Sequence, residues 1–121
     1  MAMIKVYTYK NCGTCKKATQ WLNQQGIAFE EHPIRETPPS KKELETMLDA
    51  YDGDLRRLFN TSGMDYRALG LKDQLPSMTK KAAIQLLTQN GNLVKRPFLL
   101  SSSLNAVGFK EADWAESLAE K

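Results

Sequence analysis

The 121-residue chain has little of what most often announces a chemistry: one histidine and two cysteines. A structural zinc site takes about four ligands. Cys12, Cys15 and His32 fall short of that unless carboxylates or a partner contribute, so no metal is expected. Two cysteines do not make a disulfide framework, and a chain of this length buries enough core to fold without one. No apolar run approaches the roughly 18 residues of a membrane span. The opening "MAMIKVYTYK" has no long apolar segment and no small-residue cleavage site, so a cytoplasmic location is expected. Charge of one sign is scarce as well. Seventeen basic side chains against 14 acidic ones leave +3, and the basic residues are scattered, which is no footprint for nucleic acid. Repeats and low-complexity segments are missing. With 41% hydrophobic and 26% charged residues, the composition is that of an ordinary single domain, residues 1–121.

What the chain does have is a placement. Both cysteines stand in "TYKNCGTCKKATQWL". Ile4, Val6 and Thr8 alternate with Lys5, Tyr7 and Tyr9 and predict a strand. Asn11 and Gly13 break it. From Thr14 to Gln25 the period becomes helical, with Cys15, Ala18, Trp21 and Leu22 on one face and Gln25 at its margin. Gly26 is placed to end the helix. Ile27 to Ile34 then predicts a second strand, and the helix is long enough to cross over between parallel strands. A Cys-x-x-Cys at the helix start of such a unit is a thioredoxin-like signal.

A helical block is expected over about residues 40–89. After Pro38 and Pro39, Ser40 is an N-cap that Glu43 completes as a capping box. Leu44, Met47 and Leu48 form the apolar stripe. Short helical pieces are expected around Leu55 to Phe59 and Asp65 to Leu69, in an otherwise turn-rich stretch. A longer helix runs from Thr79 to Gln89, capped at Ser77 or Thr79. Strands return at Leu93–Lys95, Phe98–Leu100 and Leu104–Phe109, with a turn at "SSSLN". A closing helix over Glu111–Glu120 turns Trp114 and Leu118 inward. The order is βαβ, helical insert, ββα. It makes an α/β fold with a small mixed sheet, as in the thioredoxin fold with an insertion.

Cys12 falls at the helix start, where backbone N–H groups lack partners and the helix dipole is positive. Both favour thiolate over thiol. Lys10, Lys16 and Lys17 act in the same sense, weakly because they are exposed. Cys12 is therefore the expected nucleophile, and Cys15, one turn deeper, the thiol that resolves a mixed disulfide at Cys12. Gly13 is expected to allow a tight turn and keep the sulfur accessible. Two idle buried cysteines are the plain alternative. Arg96 has a donor fork suited to an oxyanion or carboxylate, though a lone arginine is more often solvated or salt-bridged. Pro97 admits a cis bond or a trans proline at a strand start. His32 reads as structural or surface rather than as a base. Trp21, Trp114 and Phe109 read as core, and the lysines of "SKKEL" and "TKKAA" as solvated faces.

The motifs "YKNCGTCKKATQWL", "PPSKKELETML", "LFNTSGMDYRALGL", "LVKRPFLL" and "VGFKEADW", in this order, resemble the arsenate reductase (ArsC) and Spx family along essentially the whole chain. The resemblance implies a thioredoxin-like fold with a helical insert and a cis peptide at Arg96-Pro97. In arsenate reductases of this type a cysteine, matched by Cys12, attacks arsenate and is recycled by glutathione and glutaredoxin. Three arginines surround the oxyanion. Arg96 matches one, Asn60 stands at the position of another, and Lys110 replaces the third. Cys15 departs as well, since reductases with the arginine triad carry another residue there. The pair resembles a self-resolving thiol–disulfide couple, or the redox switch of Spx regulators, which bind the C-terminal domain of the RNA polymerase α-subunit. The resemblance thus implies a thiol-dependent oxidoreductase without a bound cofactor, with glutathione or another thiol as co-substrate. Its partners would be a small oxidised substrate or mixed disulfide and glutaredoxin or thioredoxin. The alternative is a polymerase-binding regulator.

Overall fold

The computed structural model describes residues 4–10, 12–61, 63–101 and 104–118. Strand β1 (Ile4–Thr8) leads through the cysteine turn into helix α1 (Gly13–Gln24), which returns to β2 (Phe29–Pro33). Helices α2 (Lys41–Ala50), α3 (Met64–Ala68), α4 (Leu71–Gln74) and α5 (Lys80–Gln89) form the insert. Strands β3 (Phe98–Leu100) and β4 (Asn105–Val107) and helix α6 (Glu111–Leu118) close the chain. The sheet order is β2-β1-β3-β4, with β1 parallel to β2 and antiparallel to β3, and β3 antiparallel to β4. This is the expected α/β, thioredoxin-like arrangement.

Side-chain alternation along β1 divides the core in two. Val6 pairs with Leu99 and packs with Ala18, Trp21, Leu22, Trp114 and Leu118 under α1 and α6. Tyr7 pairs with Phe98 and faces the insert, where Leu44, Met47, Leu58, Phe59, Ile84 and Leu87 are buried. Trp114 stands edge-to-face with both Trp21 and Phe109 in the first layer; the two tryptophans are buried core as expected, and Phe109 packs partly buried against them.

The ends of α1 and α2 are set by the residues that mark them in the sequence. Gly26 at φ +69° takes the left-handed turn that ends α1 at no steric cost. Ser40 accepts from the Glu43 N–H at 3.2 Å, while Glu43 accepts from the Ser40 N–H at 2.9 Å. Glu43 also accepts from Tyr7 Oη and Lys5 Nζ, each at 2.7 Å, so one carboxylate both caps α2 and fastens it to β1.

Several expectations change in detail. Leu93–Lys95 is not a strand. Gly91–Leu93 is a 3-10 turn capped by Asn90, and Val94 makes a single bridge to Phe59. The Leu93 carbonyl and Lys95 N–H are taken by Asn60 at 2.7 Å and Leu58 at 2.8 Å, so the segment pairs with the insert rather than the sheet. β2 begins at Phe29, because the Ile27 N–H is used to close α1 on the Leu22 carbonyl. β4 covers only Asn105–Val107, since Leu104 is held in a turn by Ser101. Gln25 is exposed. Helix α4 and the 3-10 turn Leu75–Ser77 occupy part of the stretch read as turn-rich. Glu120 and two serines of the "SSSLN" turn lie outside the described residues.

Candidate active site

Cys12 is the N-cap of α1, in extended backbone conformation. Its N–H donates to the Tyr9 carbonyl at 3.0 Å, and its sulfur accepts the Cys15 N–H at 3.3 Å. A bond just past the strand's end thus anchors the turn, and one of the free first-turn donors of the helix, the Cys15 N–H, points at the sulfur. Cys12 is half-buried, Cys15 is 2% exposed, and both are free thiols. Burial pushes the Cys15 thiol up to about 12, and its hydrogen bond to Cys12 adds to this. A backbone hydrogen bond from Tyr9 and the charge of Arg96 oppose it. Cys15 is therefore a thiol at neutral pH, held against Cys12.

Gly13, expected to allow a tight turn, has no positive φ. It is the first helical residue, and a Cβ there would meet nothing within 4 Å. What it does provide is an open approach.

Arg96 and Pro97 are joined by a cis peptide. The Arg96 guanidinium lies 5.0 Å from the centre of the Tyr9 ring, and its Nη1 is buried with no hydrogen-bond partner among the described residues. Buried polar groups are nearly always paired, so this donor marks a place for an acceptor. A second guanidinium shares the ring: Arg35 also lies 5.0 Å from its centre and donates to Tyr9 Oη at 2.8 Å.

Residues 7–117 match the ArsC family. The chain belongs to the ArsC family. It is 43% identical over 113 residues to the uncharacterized protein YusI of Bacillus subtilis strain 168, covering 93% of this chain and 96% of that one. It is 28% identical over 109 residues to the global transcriptional regulator Spx of Streptococcus agalactiae, covering 90% and 78%. A crystal structure of an ArsC family related protein from Bacteroides fragilis superposes with a TM-score of 0.88 at 35% identity, covering 95% and 97%.

This ArsC-family chain keeps Asn60 in the segment that pairs with Leu93–Lys95, immediately before Arg96. Asn60 is half-buried, and its amide lies against Gly63. Lys110 is exposed at the start of α6 and lines a separate cavity of about 300 Å³ with Tyr51 and Asp113. His32 stacks on Tyr7 and lies 3.2 Å from Glu30, a structural position. Among the described residues no three His, Cys, Asp or Glu side chains gather as metal ligands, and no helix is long and apolar enough to cross a membrane.

Sequence reasoning missed Tyr9 and Arg35 in this ArsC-family site. The signal was the pairing of the parallel strands. Thr8 stands opposite Pro33, so the residues that follow each strand emerge side by side.

Proposed function

We propose that the chain is a thiol–disulfide oxidoreductase in which Cys12 attacks and Cys15 resolves. One observation carries the reading: the half-buried Cys12 sulfur accepts the Cys15 N–H at 3.3 Å at the N-terminus of α1, with the Cys15 thiol packed behind it. Cys12, as thiolate, attacks one sulfur of a disulfide. A new S–S bond forms, the old one breaks, and the leaving thiolate carries away the electron pair. Cys15 then attacks the Cys12 sulfur and expels the second thiolate, which accepts the Cys15 proton. The protein ends oxidised, and two electrons from glutathione, glutaredoxin or thioredoxin reset it.

Arsenate suits this site less well. It carries one to two negative charges near neutral pH, and bidentate arginine forks are the strongest side-chain answer to them. Arg96 supplies one fork, Asn60 supplies no charge, and Lys110 supplies a point charge from another cavity.

The test is turnover of a small disulfide and of arsenate by the reduced protein with a thiol donor. Disulfide turnover that disappears in Cys12→Ser supports the reading, and undiminished turnover in that variant refutes it. The likeness to Spx favours a second reading, a redox-sensing regulator that binds the C-terminal domain of the RNA polymerase α-subunit. Capture of that domain by the purified chain, without disulfide turnover, would decide for it.

A further inference from the structure

Resting on the thiol–disulfide reading, we propose that Arg35 is a specificity-determining residue. It holds the carboxylate of an anionic low-molecular-weight disulfide in the groove beside Tyr9, with a sulfur of that disulfide at Cys12.

The groove has a volume of about 560 Å³ and runs from Tyr9 and Lys10 to Gln89–Asn92 at the end of α5. That is far more room than a single oxyanion needs. Tyr9 and Lys10 lead directly into the cysteine turn, and the Tyr9 carbonyl anchors Cys12. The lining ends at Lys10, two residues before Cys12 in the chain, so a disulfide held in the groove reaches the nucleophile by extending past Lys10.

The far wall is fastened in place. The side-chain amides of Asn90 and Asn92 donate to Asp65 at 3.0 and 3.3 Å, and Asn90 accepts the Asn92 N–H at 3.0 Å. Gly91 presses on the opposite wall so closely that a Cβ would lie 1.9 Å from the Ile34 carbonyl oxygen, immediately before Arg35. Arg35 is thus presented from a packed backbone, and Tyr9 Oη orients it. That bond uses one of the five N–H donors of a guanidinium.

Arg35 and Arg96 each lie 5.0 Å from the same ring centre, so the two cations stand within twice that distance of each other. Arg35 lines the groove and Arg96 does not, so an anionic ligand there meets Arg35 directly and lowers the repulsion between the two cations. Lys10 adds positive charge at the mouth, against the single carboxylate of Glu36. A carboxylate-bearing disulfide fits both the volume and the charge. A neutral one leaves the cations unused.

The experiment compares two probes on the reduced full-length protein: the dicarboxylate 5,5′-dithiobis(2-nitrobenzoate) and the uncharged 4,4′-dithiodipyridine. The rate of the first mixed disulfide at Cys12 is read for each. Arg35→Gln is expected to lower the ratio of the anionic to the neutral rate about tenfold, the usual effect of one charge-assisted contact. Arg35→Lys retains part of the preference, and added salt erodes it in the parent but little in Arg35→Gln. Arg56→Gln, which removes the same charge elsewhere, leaves the ratio unchanged. An unchanged ratio in Arg35→Gln, or an equal fall of both rates, overturns the proposal, the second outcome marking a merely structural residue. If Cys12 does not react with the neutral probe at all, the thiol–disulfide reading itself fails and takes this inference with it.

Discussion

At the scale of single residues, the site depends on close approach. Gly91 is required because backbone, not a movable side chain, fills the space a Cβ would occupy. Gly91→Ala is expected to destabilise the protein by about 1–3 kcal/mol, the cost of overpacking, measured as a lower urea midpoint. It is also expected to slow the reaction of Cys12 with an anionic disulfide, because Arg35 shifts with Ile34. A variant as stable as the parent would show that the two segments separate freely. The cysteines were legible in the sequence because their placement is local, at a junction marked by a change of period. Gly91 was not, since its neighbour is more than fifty residues away and nothing local distinguishes it from a loop glycine.

The elements are held in place by a few polar fasteners on an apolar frame. Glu43 joins α2 to β1 through Tyr7 and Lys5 while capping α2 at Ser40. Burial acts to raise its pKa, but the bonds from Lys5, Ser40 and Tyr7 outweigh it and hold the carboxyl low. Ser40→Ala should cost about 1 kcal/mol, an ordinary N-cap. Glu43→Ala should cost about 2–3 kcal/mol, because it also leaves the buried Tyr7 hydroxyl without its acceptor. Calorimetry of Glu43→Ala, Tyr7→Phe and the pair together should give a non-additive cycle, and strict additivity would deny the coupling. The capping box was readable because its partners are three residues apart. The link from Glu43 to Tyr7, 36 residues away, depends on how the insert docks, which periodicity does not encode. The same distinction explains Leu93–Lys95. Its apolar residues suggest a strand, but the insert captures its hydrogen bonds.

For the whole molecule, buried acids set the response to pH. Burial, first, and the bond to Glu43 raise Tyr7 to about 12, from an ordinary 10.0. Cys15 rises to about 12 from 9.0, chiefly through burial. Folding keeps both protonated where the unfolded chain would ionise them. Their contribution to stability is therefore complete below about pH 9 and lost as pH rises towards 12. Lys5, raised by its bond to Glu43, acts in the same direction. Urea midpoints should fall steadily from pH 9 to 11, and less steeply in Tyr7→Phe. A flat profile would mean that neither group is buried as described. The order of elements and the sheet were legible along the chain, because strand and helix periods alternate with clear caps. The meeting of Arg35 and Arg96 over Tyr9 was not, since it is produced by the register of β1 with β2 and the course of the turn before β3.

The most direct measurement is mass spectrometry of the Cys15→Ser protein after reaction with one equivalent of a small disulfide, beside the parent. The account requires a stable adduct on Cys12 in the variant and, in the parent, loss of that adduct with a Cys12–Cys15 bond in its place. An unmodified Cys12 in the variant, or an adduct that persists equally in the parent, would contradict it.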